Sequence, residues 1–267
     1  MKRIILPMVL LAFLPAFCAD GVKLPPKEKF KIVVLAGQSN MAGRGDFGEV
    51  PPINHPRCKM LRNGRWQPMA EPINPDRPIF DILFHSGVCL TASFAESYAN
   101  TYTDVQCGLI PCADGGTSID DWEPGGLLYD NAVFQTQQAK RTSEVRGILW
   151  HQGEQDCGSA EKLRHYRSKF EIFLAQFIED TELPSDIPIV VGELGYFASP
   201  MVDFDGERIN ATAYMNALFR TIADETPNIA LASAEGLDPK PDGIHFNSAS
   251  LRIFGRRYFD AYQSLVK

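Results

Sequence analysis

The sequence has no segment rich in Lys and Arg, and it has no run of the roughly 20 apolar residues that a helix needs to span a bilayer. Nucleic acids and anionic membrane surfaces are held by clustered cations. Here 33 acidic residues outnumber 26 basic ones in 267 residues, which gives a net charge of −7. We therefore expect no nucleic-acid partner and no integral membrane segment in the mature chain.

The sequence also lacks the spacing of Cys and His residues that is typical of a structural metal site. No two of the six cysteines are in CxxC spacing and the five histidines are scattered, which argues against a structural zinc site. Five cysteines follow Cys18, an odd number. One or two disulfides are compatible with an exported protein, but their partners cannot be read from the spacing.

What the sequence does contain is the composition of a globular protein. It is 45% hydrophobic and 22% charged, which is enough apolar material to build a sizeable core. The length suits one large domain or two small ones.

The N-terminus has the pattern of a secretory signal peptide. Lys2 and Arg3 precede a short apolar run at 4–17, and Ala16 and Cys18 occupy the −3 and −1 positions for cleavage after residue 18. We predict a signal peptide over residues 1–18, a secreted or periplasmic protein, and a single domain over residues 19–267. A membrane anchor is the main alternative; a lipoprotein signal fits less well.

Short apolar runs rich in β-formers alternate with segments whose apolar residues recur every three to four positions. The predicted strands cover residues 31–36, 105–111, 145–150, 187–194 and 228–234. The predicted helices cover residues 91–102, 128–140, 161–179, 208–225 and 249–265. This alternation is typical of a parallel sheet with helices on both faces. We predict an α/β fold with a central parallel sheet of about five strands.

Residues 47–93 interrupt this alternation with seven prolines. We predict an irregular loop excursion there, longer than a compact domain usually carries without a function. Two interpretations stay open: an inert cover, or a wall of the substrate groove.

Polar segments follow four of the predicted strands, where parallel α/β folds gather their reactive groups. After the first strand, Ser39 lies in a tight turn that contains glycine. The four segments are 37–43 (GQSNMAG), 114–117 (DGGT), 151–154 (HQGE) and 242–245 (DGIH). Each pattern is common by itself, but together they match one chemistry.

That chemistry is acyl transfer, which needs a nucleophile, a base, a carboxylate that orients the base, and donors to the developing oxyanion. Ser39 is the candidate nucleophile, His245 the base and Asp242 the orienting acid. The three-residue spacing lets Asp242 reach the imidazole of its own loop. The candidate oxyanion donors are the backbone N–H groups of Ser39 and Gly116 and the side-chain amide of Gln152.

With these blocks the sequence resembles the SGNH/GDSL hydrolase superfamily. Within it, the sequence is similar to the branch of carbohydrate esterase family 6 and the sialate O-acetylesterase-like and acetylxylan esterase-like proteins. The matching blocks are 37–41 (GQSNM), 115–117 (GGT), 150–154 (WHQGE) and 242–245 (DGIH), in this order between residues 30 and 262. Gln152 stands where most of the superfamily carries Asn, as is usual in this branch.

The resemblance implies a flavodoxin-like three-layer α/β/α sandwich and a serine hydrolase that removes O-acetyl groups from sugars without a metal or cofactor. It implies Ser39, Asp242 and His245 as the triad, with Gly116 and Gln152 as oxyanion donors. The expected partner is an acetylated carbohydrate, and we expect a monomer.

Several roles stay open. Glu154, Asp156 and Glu193 also lie at strand ends and are alternatives to Asp242 as the imidazole's partner. Trp122 is either a platform for a sugar ring or a packing residue, and Glu154 either has a direct catalytic role or fixes loops by hydrogen bonds. The substrate-binding candidates are Gln38, Gly115, Trp122 and Glu154. The alternative functions are a lipase or thioesterase with the same machinery, and a non-catalytic sugar-binding protein on the same fold.

Overall fold

The computed structural model of the protein describes residues 22–75 and 85–266. The signal peptide predicted over residues 1–18 lies outside these ranges and stays a prediction, as does the part of the excursion at 76–84. Within the described ranges, no helix combines the length and apolar character needed to cross a membrane.

Strands and helices alternate along the described chain. The strands are β1 (Phe30–Gly37), β2 (Cys58–Arg62), β3 (Arg65–Pro68), β4 (Gln106–Pro111), β5 (Glu144–His151), β6 (Ile189–Gly192), β7 (Met201–Phe204), β8 (Glu207–Asn210) and β9 (Ile229–Ala232). The helices are α1 (Ser39–Ala42), α2 (Leu90–Thr101), α3 (Leu127–Lys140), α4 (Ala160–Asp180), α5 (Ala211–Glu225) and α6 (Ser248–Leu265).

Seven of these strands form one sheet in the order β3-β2-β4-β1-β5-β6-β9. β3 runs antiparallel to β2, and the other neighbouring pairs are parallel. β1 lies in the middle of the sheet between β4 and β5. The predicted fold class is confirmed, but the sheet has seven strands where we expected about five.

The central strands are buried on both faces, as their continuous apolar sequences require. Ile32 and Val34 of β1 pack with side chains of α3, α4 and α5. Val33 and Leu35, which point the other way, pack with side chains of α2 and α6. The helices therefore form one layer on each side of the sheet.

The two unexpected strands of the sheet form a hairpin inside the predicted excursion. β2 and β3 are joined by Asn63 and Gly64, whose φ angles are 50° and 70°, as a type I′ turn requires. A second hairpin, β7–β8, turns at Asp205 and Gly206 with φ angles of 52° and 86°. It occupies the start of the helix predicted at 208–225, so α5 begins only at residue 211. Asn-Gly and Asp-Gly are hairpin signals that the surrounding irregular sequence obscured.

A buried ion pair fastens the excursion to the last helix. Glu71 accepts two hydrogen bonds from the guanidinium of Arg252 in α6, one of them 2.7 Å long. The two side chains are 4% and 9% exposed. Arg252 also donates to the carbonyl oxygens of Pro51 and Cys89, so one guanidinium holds both ends of the excursion.

We expect Glu71→Gln to lower the free energy of unfolding by about 3–5 kcal/mol, because the variant leaves the Arg252 guanidinium buried beside a neutral group. Urea denaturation measures the change. The matched control is Asp205→Asn, which breaks an ion pair with Arg164 whose side chains are 70% and 45% exposed; such pairs contribute little. Equal losses in the two variants would show that the buried pair does not fasten the excursion.

Candidate active site

The predicted nucleophile follows β1, and the backbone at the ends of the two neighbouring strands, β4 and β5, holds this part of the chain in place. The N–H of Gln38 donates to the carbonyl of His151 at 2.9 Å, and the N–H of Asp114 donates to the carbonyl of Gly37 at 3.0 Å. Pairing between neighbouring strands thus continues past the end of β1 on both sides. Ser39, the next residue and the first of α1, is fixed between the loops that follow β4 and β5.

Ser39, His245 and Asp242 form one hydrogen-bonded chain. Nε2 of His245 lies 2.9 Å from Oγ of Ser39, and Nδ1 lies 2.9 Å from Oδ2 of Asp242. This is the order in which a nucleophile, a base and an orienting carboxylate are arranged for acyl transfer. The structure therefore brings the predicted nucleophile to the predicted base and acid, although Ser39 and His245 are 206 positions apart in the chain.

Asp242 is fixed by its own loop. Its Oδ1 accepts hydrogen bonds from the N–H groups of Ile244 at 2.8 Å and His245 at 2.9 Å. Partial burial acts to raise the pKa of Asp242, but the backbone and side-chain hydrogen bonds from His245 and the backbone one from Ile244 outweigh it and lower the pKa to about 2. The carboxylate is therefore ionised wherever an esterase would work.

The other carboxylates considered as partners of the imidazole are engaged elsewhere. Glu154 contacts His151 and Asn40. Asp156 accepts from the N–H of Ile119 and from Gln152. Glu193 accepts from Arg220, Tyr196, Ser233 and the N–H of Ala234. Among the described residues, the carboxylate within hydrogen-bond distance of the His245 imidazole is that of Asp242.

Asn40 links three of the site's loops, a role that the sequence analysis did not assign. Its Nδ2 donates to Oε1 of Glu154 at 2.6 Å and to the carbonyl of Ile244 at 3.3 Å. Its Oδ1 accepts from the N–H of Phe246 at 3.1 Å. The sequence offered one indication of this role. Asn40 directly follows the candidate nucleophile Ser39, and an amide that is buried at such a position must find hydrogen-bond partners.

Glu154 borders the site as an ionised, mostly buried carboxylate. Burial acts to raise its pKa, but the attraction and hydrogen bond of His151 and the hydrogen bond from Asn40 outweigh it and lower the pKa. Its second oxygen, Oε2, is buried and has no partner among the described residues. Its hydrogen bonds to Asn40 and His151 tie Glu154 to the loop after β1 and to the end of β5, and the residue also lines the cavity.

A cavity of about 570 Å³ opens at Ser39 and His245. Its polar lining includes Gln38, Arg44, Gly115, Gly116, Glu154 and Gln155, and its apolar lining includes Phe197, Pro200 and Ile244. Of the substrate-binding candidates, Gln38, Gly115 and Glu154 are therefore at the cavity. The described excursion residues, 47–75 and 85–93, do not line it; β2 and β3 of the excursion instead extend one edge of the sheet.

Two of the three predicted oxyanion donors are available. In the described chain, the N–H groups of Ser39 and Gly116 make no backbone hydrogen bond, and both residues line the cavity. Gln152 differs from this expectation. It is fully buried, and its Nε2 donates to the carbonyl of Thr117 at 3.0 Å, to Oε1 of Gln38 at 3.2 Å, and to Asp156.

The structure thus corrects the prediction for Gln152. Its two amide protons face three buried acceptors, and neither is left for a substrate oxygen. Gln152 ties the loop after β4 to the loop after β5. The sequence correctly indicated that an amide is needed there, but it could not tell in which direction the side chain points.

The structure also corrects the prediction of Trp122 as a sugar platform. Its side chain is fully buried and packs edge-on against Trp150 and Phe173, with ring centroids 5.3 and 5.5 Å apart. Trp122 is therefore the packing residue of the two alternatives. Burying an indole in this aromatic cluster stabilises the fold but keeps the ring away from any ligand.

In the described chain, the cysteines form no disulfide, and the acidic residues outside the site form no metal centre. Its five cysteines are buried and unpaired. Across residues 22–75 and 85–266, no three His, Cys, Asp or Glu side chains are grouped as a metal ion would require.

Asp156 lies beneath the site, where its carboxylate accepts a hydrogen bond from Gln152. Its pKa allows a test of how the stability of the protein depends on pH. Burial raises its pKa from 3.8 to about 6, against the opposing hydrogen bonds from Gln152 and Ile119. Between these two values the folded state holds the proton that the unfolded state releases, so this group's contribution to stability falls as the pH rises.

We therefore expect the wild-type free energy of unfolding, minus that of Asp156→Asn, to fall from pH 4 to pH 6 and to stay constant above. Urea denaturation at several pH values measures the difference, and the Asn variant is the matched non-titrating reference. A difference that is flat, or that rises across this window, would contradict a raised pKa.

Comparisons with known proteins give the family of this chain. Residues 29–264 match the family model of carbohydrate esterases described as sialic acid-specific acetylesterases. The chain is 28% identical over 260 residues to a probable carbohydrate esterase of Arabidopsis thaliana. The aligned region covers 90% of this chain and 92% of that relative. The X-ray structure of that Arabidopsis protein superposes with a TM-score of 0.76 at 26% identity, covering 90% of this chain and 99% of the other.

Two further solved structures share the fold at 17% identity. NanS has a TM-score of 0.67 and covers 91% of this chain and 98% of its own. A carbohydrate acetylesterase from Xanthomonas citri has a TM-score of 0.60 and covers 89% of this chain and 56% of its own. With the family model matched over nearly the whole described chain, this protein belongs to the carbohydrate esterase family of sialic acid-specific acetylesterases.

Proposed function

We propose that this protein is a serine esterase that removes acetyl groups from an acetylated carbohydrate through an acetyl-enzyme. The observation that carries the proposal is the hydrogen-bonded chain of Ser39, His245 and Asp242, of which Ser39 and His245 line the cavity. Membership in a carbohydrate esterase family supports the same reaction class.

In the first half of the reaction, Oγ of Ser39 attacks the acetyl carbonyl carbon while its proton moves to Nε2 of His245. Asp242 holds Nδ1 of the imidazole and stabilises the cation that forms. The carbonyl oxygen becomes an oxyanion next to the free N–H groups of Ser39 and Gly116. When the intermediate collapses, the bond to the sugar oxygen breaks, and His245 returns the proton to that oxygen.

In the second half, a water molecule attacks the acetyl-enzyme and His245 takes its proton. Collapse of the second intermediate breaks the bond to Oγ of Ser39, which regains its proton, and acetate leaves. Both halves use the same oxyanion donors, so one arrangement of groups serves acylation and deacylation.

The lining of the cavity supports a sugar ester as substrate. A sugar ring presents apolar C–H faces as well as hydroxyl groups, and the cavity offers apolar walls at Phe197, Pro200 and Ile244 beside the carboxylate of Glu154. The volume of about 570 Å³ lies within the range of small-molecule sites. The family description names sialic acid. We therefore place O-acetylated sialic acid beside acetylated xylan as the substrates to test first.

Acetate release from a panel of acetylated xylan, acetylated pectin and O-acetylated sialic acids tests the proposal. We expect wild-type protein to release acetate from at least one of these, and Ser39→Ala to release none above background. Removing a nucleophile costs many orders of magnitude in kcat, whereas this hydroxyl contributes little packing, so the melting temperature should stay near that of the wild type.

A p-nitrophenyl ester series of increasing chain length is the companion experiment. A preference for acetyl over long acyl chains is expected. Turnover of long-chain esters with no acetate release from any carbohydrate would instead favour a lipase or thioesterase. Full activity in Ser39→Ala would overturn the serine mechanism, and binding of the sugars without turnover would favour a carbohydrate-binding protein.

A further inference from the structure

The base of the proposed reaction comes from a segment outside the sheet. His245 lies in residues 238–247, between β9 and α6, and we call this segment the base loop. The 2.9 Å contact between Nε2 of His245 and Oγ of Ser39 therefore depends on how the base loop is attached to the chain that follows β1. This inference rests on the proposed function and concerns which side chain holds the base loop in place.

The base loop folds back on itself at Lys240. The N–H of Lys240 donates to the carbonyl of His245 at 2.6 Å, and the carbonyl of Lys240 accepts from the N–H of Gly243 at 3.0 Å. The adjacent residues Pro239 and Phe246 form an antiparallel bridge. The backbone of Lys240 is therefore paired directly with the residue that carries the base, so a shift of Lys240 shifts His245 as well.

The side chain of Lys240 leaves the base loop and ends on the segment that follows α1. Its Nζ donates to the carbonyl oxygen of Arg44 at 2.7 Å and to Oδ1 of Asp46 at 2.8 Å. The Lys240 side chain is only 19% exposed, so the ammonium group is largely shielded from water. Hydrogen bonds from a charged donor are stronger than those between neutral groups. Lys240 therefore connects the base loop to residues that lie a few positions after Ser39.

The segment that accepts from Lys240 is itself fixed by the start of α6. A Cβ atom at Gly45 would lie 2.7 Å from Oγ of Ser248, so only glycine allows this close approach. Oγ of Ser248 lies 2.6 Å from Oε2 of Glu49 and 3.1 Å from the carbonyl oxygen of Asp46. Residues 44–49 therefore provide a firm anchor for the Lys240 side chain.

We propose that Lys240 is a positioning residue, which holds His245 at Ser39 by anchoring the base loop to the segment at 44–46. Asn40 makes a second connection to the same loop. Proton transfer needs Oγ and Nε2 within about 2.6–3.2 Å of each other, and a misplacement of about 1 Å can cost about 10²-fold in rate. Without the Lys240 anchor, the loop keeps its bonds to Asn40 but is free to turn about them, so the imidazole spends less time within reach of the hydroxyl.

The variant Lys240→Met tests the anchor, because methionine has an unbranched apolar side chain and no donor. We expect kcat for p-nitrophenyl acetate to fall by about 10–100-fold, with KM changed by less than about threefold. The rate at which a serine-directed phosphonate labels Ser39 should fall by the same factor, since labelling also needs the base but no contact with a sugar. Labelling carried to completion gives the concentration of folded enzyme, so both rates are compared per active site.

Hydrogen–deuterium exchange gives a readout that needs no enzymatic activity. Backbone amides in 238–247 should exchange faster in Lys240→Met than in the wild type, whereas amides of β1 should exchange at the wild-type rate. If Lys240→Met does not fold, Asp46→Ala provides the same measurements, because it removes one of the two acceptors at a carboxylate that is 58% exposed. The expected loss in kcat is then about two- to fivefold.

Lys29→Met is the matched control. Lys29 pairs with Asp104 through side chains that are 47% and 70% exposed, and it precedes β1, at the end of the strand opposite to the site. We expect wild-type kcat, labelling rate and base-loop exchange in this variant. Wild-type kcat and labelling rate in Lys240→Met, a loss confined to KM, or unchanged exchange over 238–247 would overturn the proposal.

A failure of the proposed function is recognised separately. Ser39→Ala is assayed beside these variants, and esterase activity in Ser39→Ala would show that the serine mechanism is wrong. If the wild-type protein hydrolyses no ester, the proposed function fails, but exchange over 238–247 still decides whether Lys240 anchors the base loop.

Discussion

The active site depends on the position of β1 in the middle of the sheet, hydrogen-bonded to β4 on one side and β5 on the other. Because these strands are parallel, their carboxyl ends meet at one edge, and each delivers a polar loop there. Ser39 comes from the central loop, and Gly115 and Gly116 come from the loop after β4. His245 arrives from the segment before α6, beyond the far edge strand β9, and its contact with Ser39 closes the site.

Beneath the nucleophile lies a layer of buried polar side chains. Asn40 joins Glu154 to the loop that carries His245, and Gln152 joins Gln38 to Asp156. Burying amides and carboxylates costs free energy unless their hydrogen bonds are made. Here each group is paired mainly with a residue of another loop. The layer therefore fixes the loops relative to one another, and the catalytic distances follow from it.

The architecture, and the grouping of the three candidate reacting residues, were predictable from the sequence because they depend on patterns along the chain. Apolar runs located five strands of the sheet, and the polar blocks at their ends located Ser39, Asp242 and His245. The direction of a side chain is a different matter, since it depends on which neighbours can accept its protons. For that reason Gln152 was expected at the cavity and lies below it, and the choice between a sugar platform and a packing role for Trp122, which lies in the core, stayed open. The hairpins at Asn63-Gly64 and Asp205-Gly206 were missed for another reason: their turn signals are two residues long and stand among prolines or beside a helical pattern.

If acetyl transfer passes through Ser39, this residue is acetylated during turnover, and its covalent state can be measured directly. Wild-type protein is mixed with an acetylated sugar, quenched in acid within the first turnovers, digested and analysed by mass spectrometry. We expect one acetyl group on the peptide that contains Ser39, and we expect it to disappear when the substrate is exhausted. Acetate release with no acetylated Ser39 at any quench time, or with the acetyl group on another residue, would contradict this expectation.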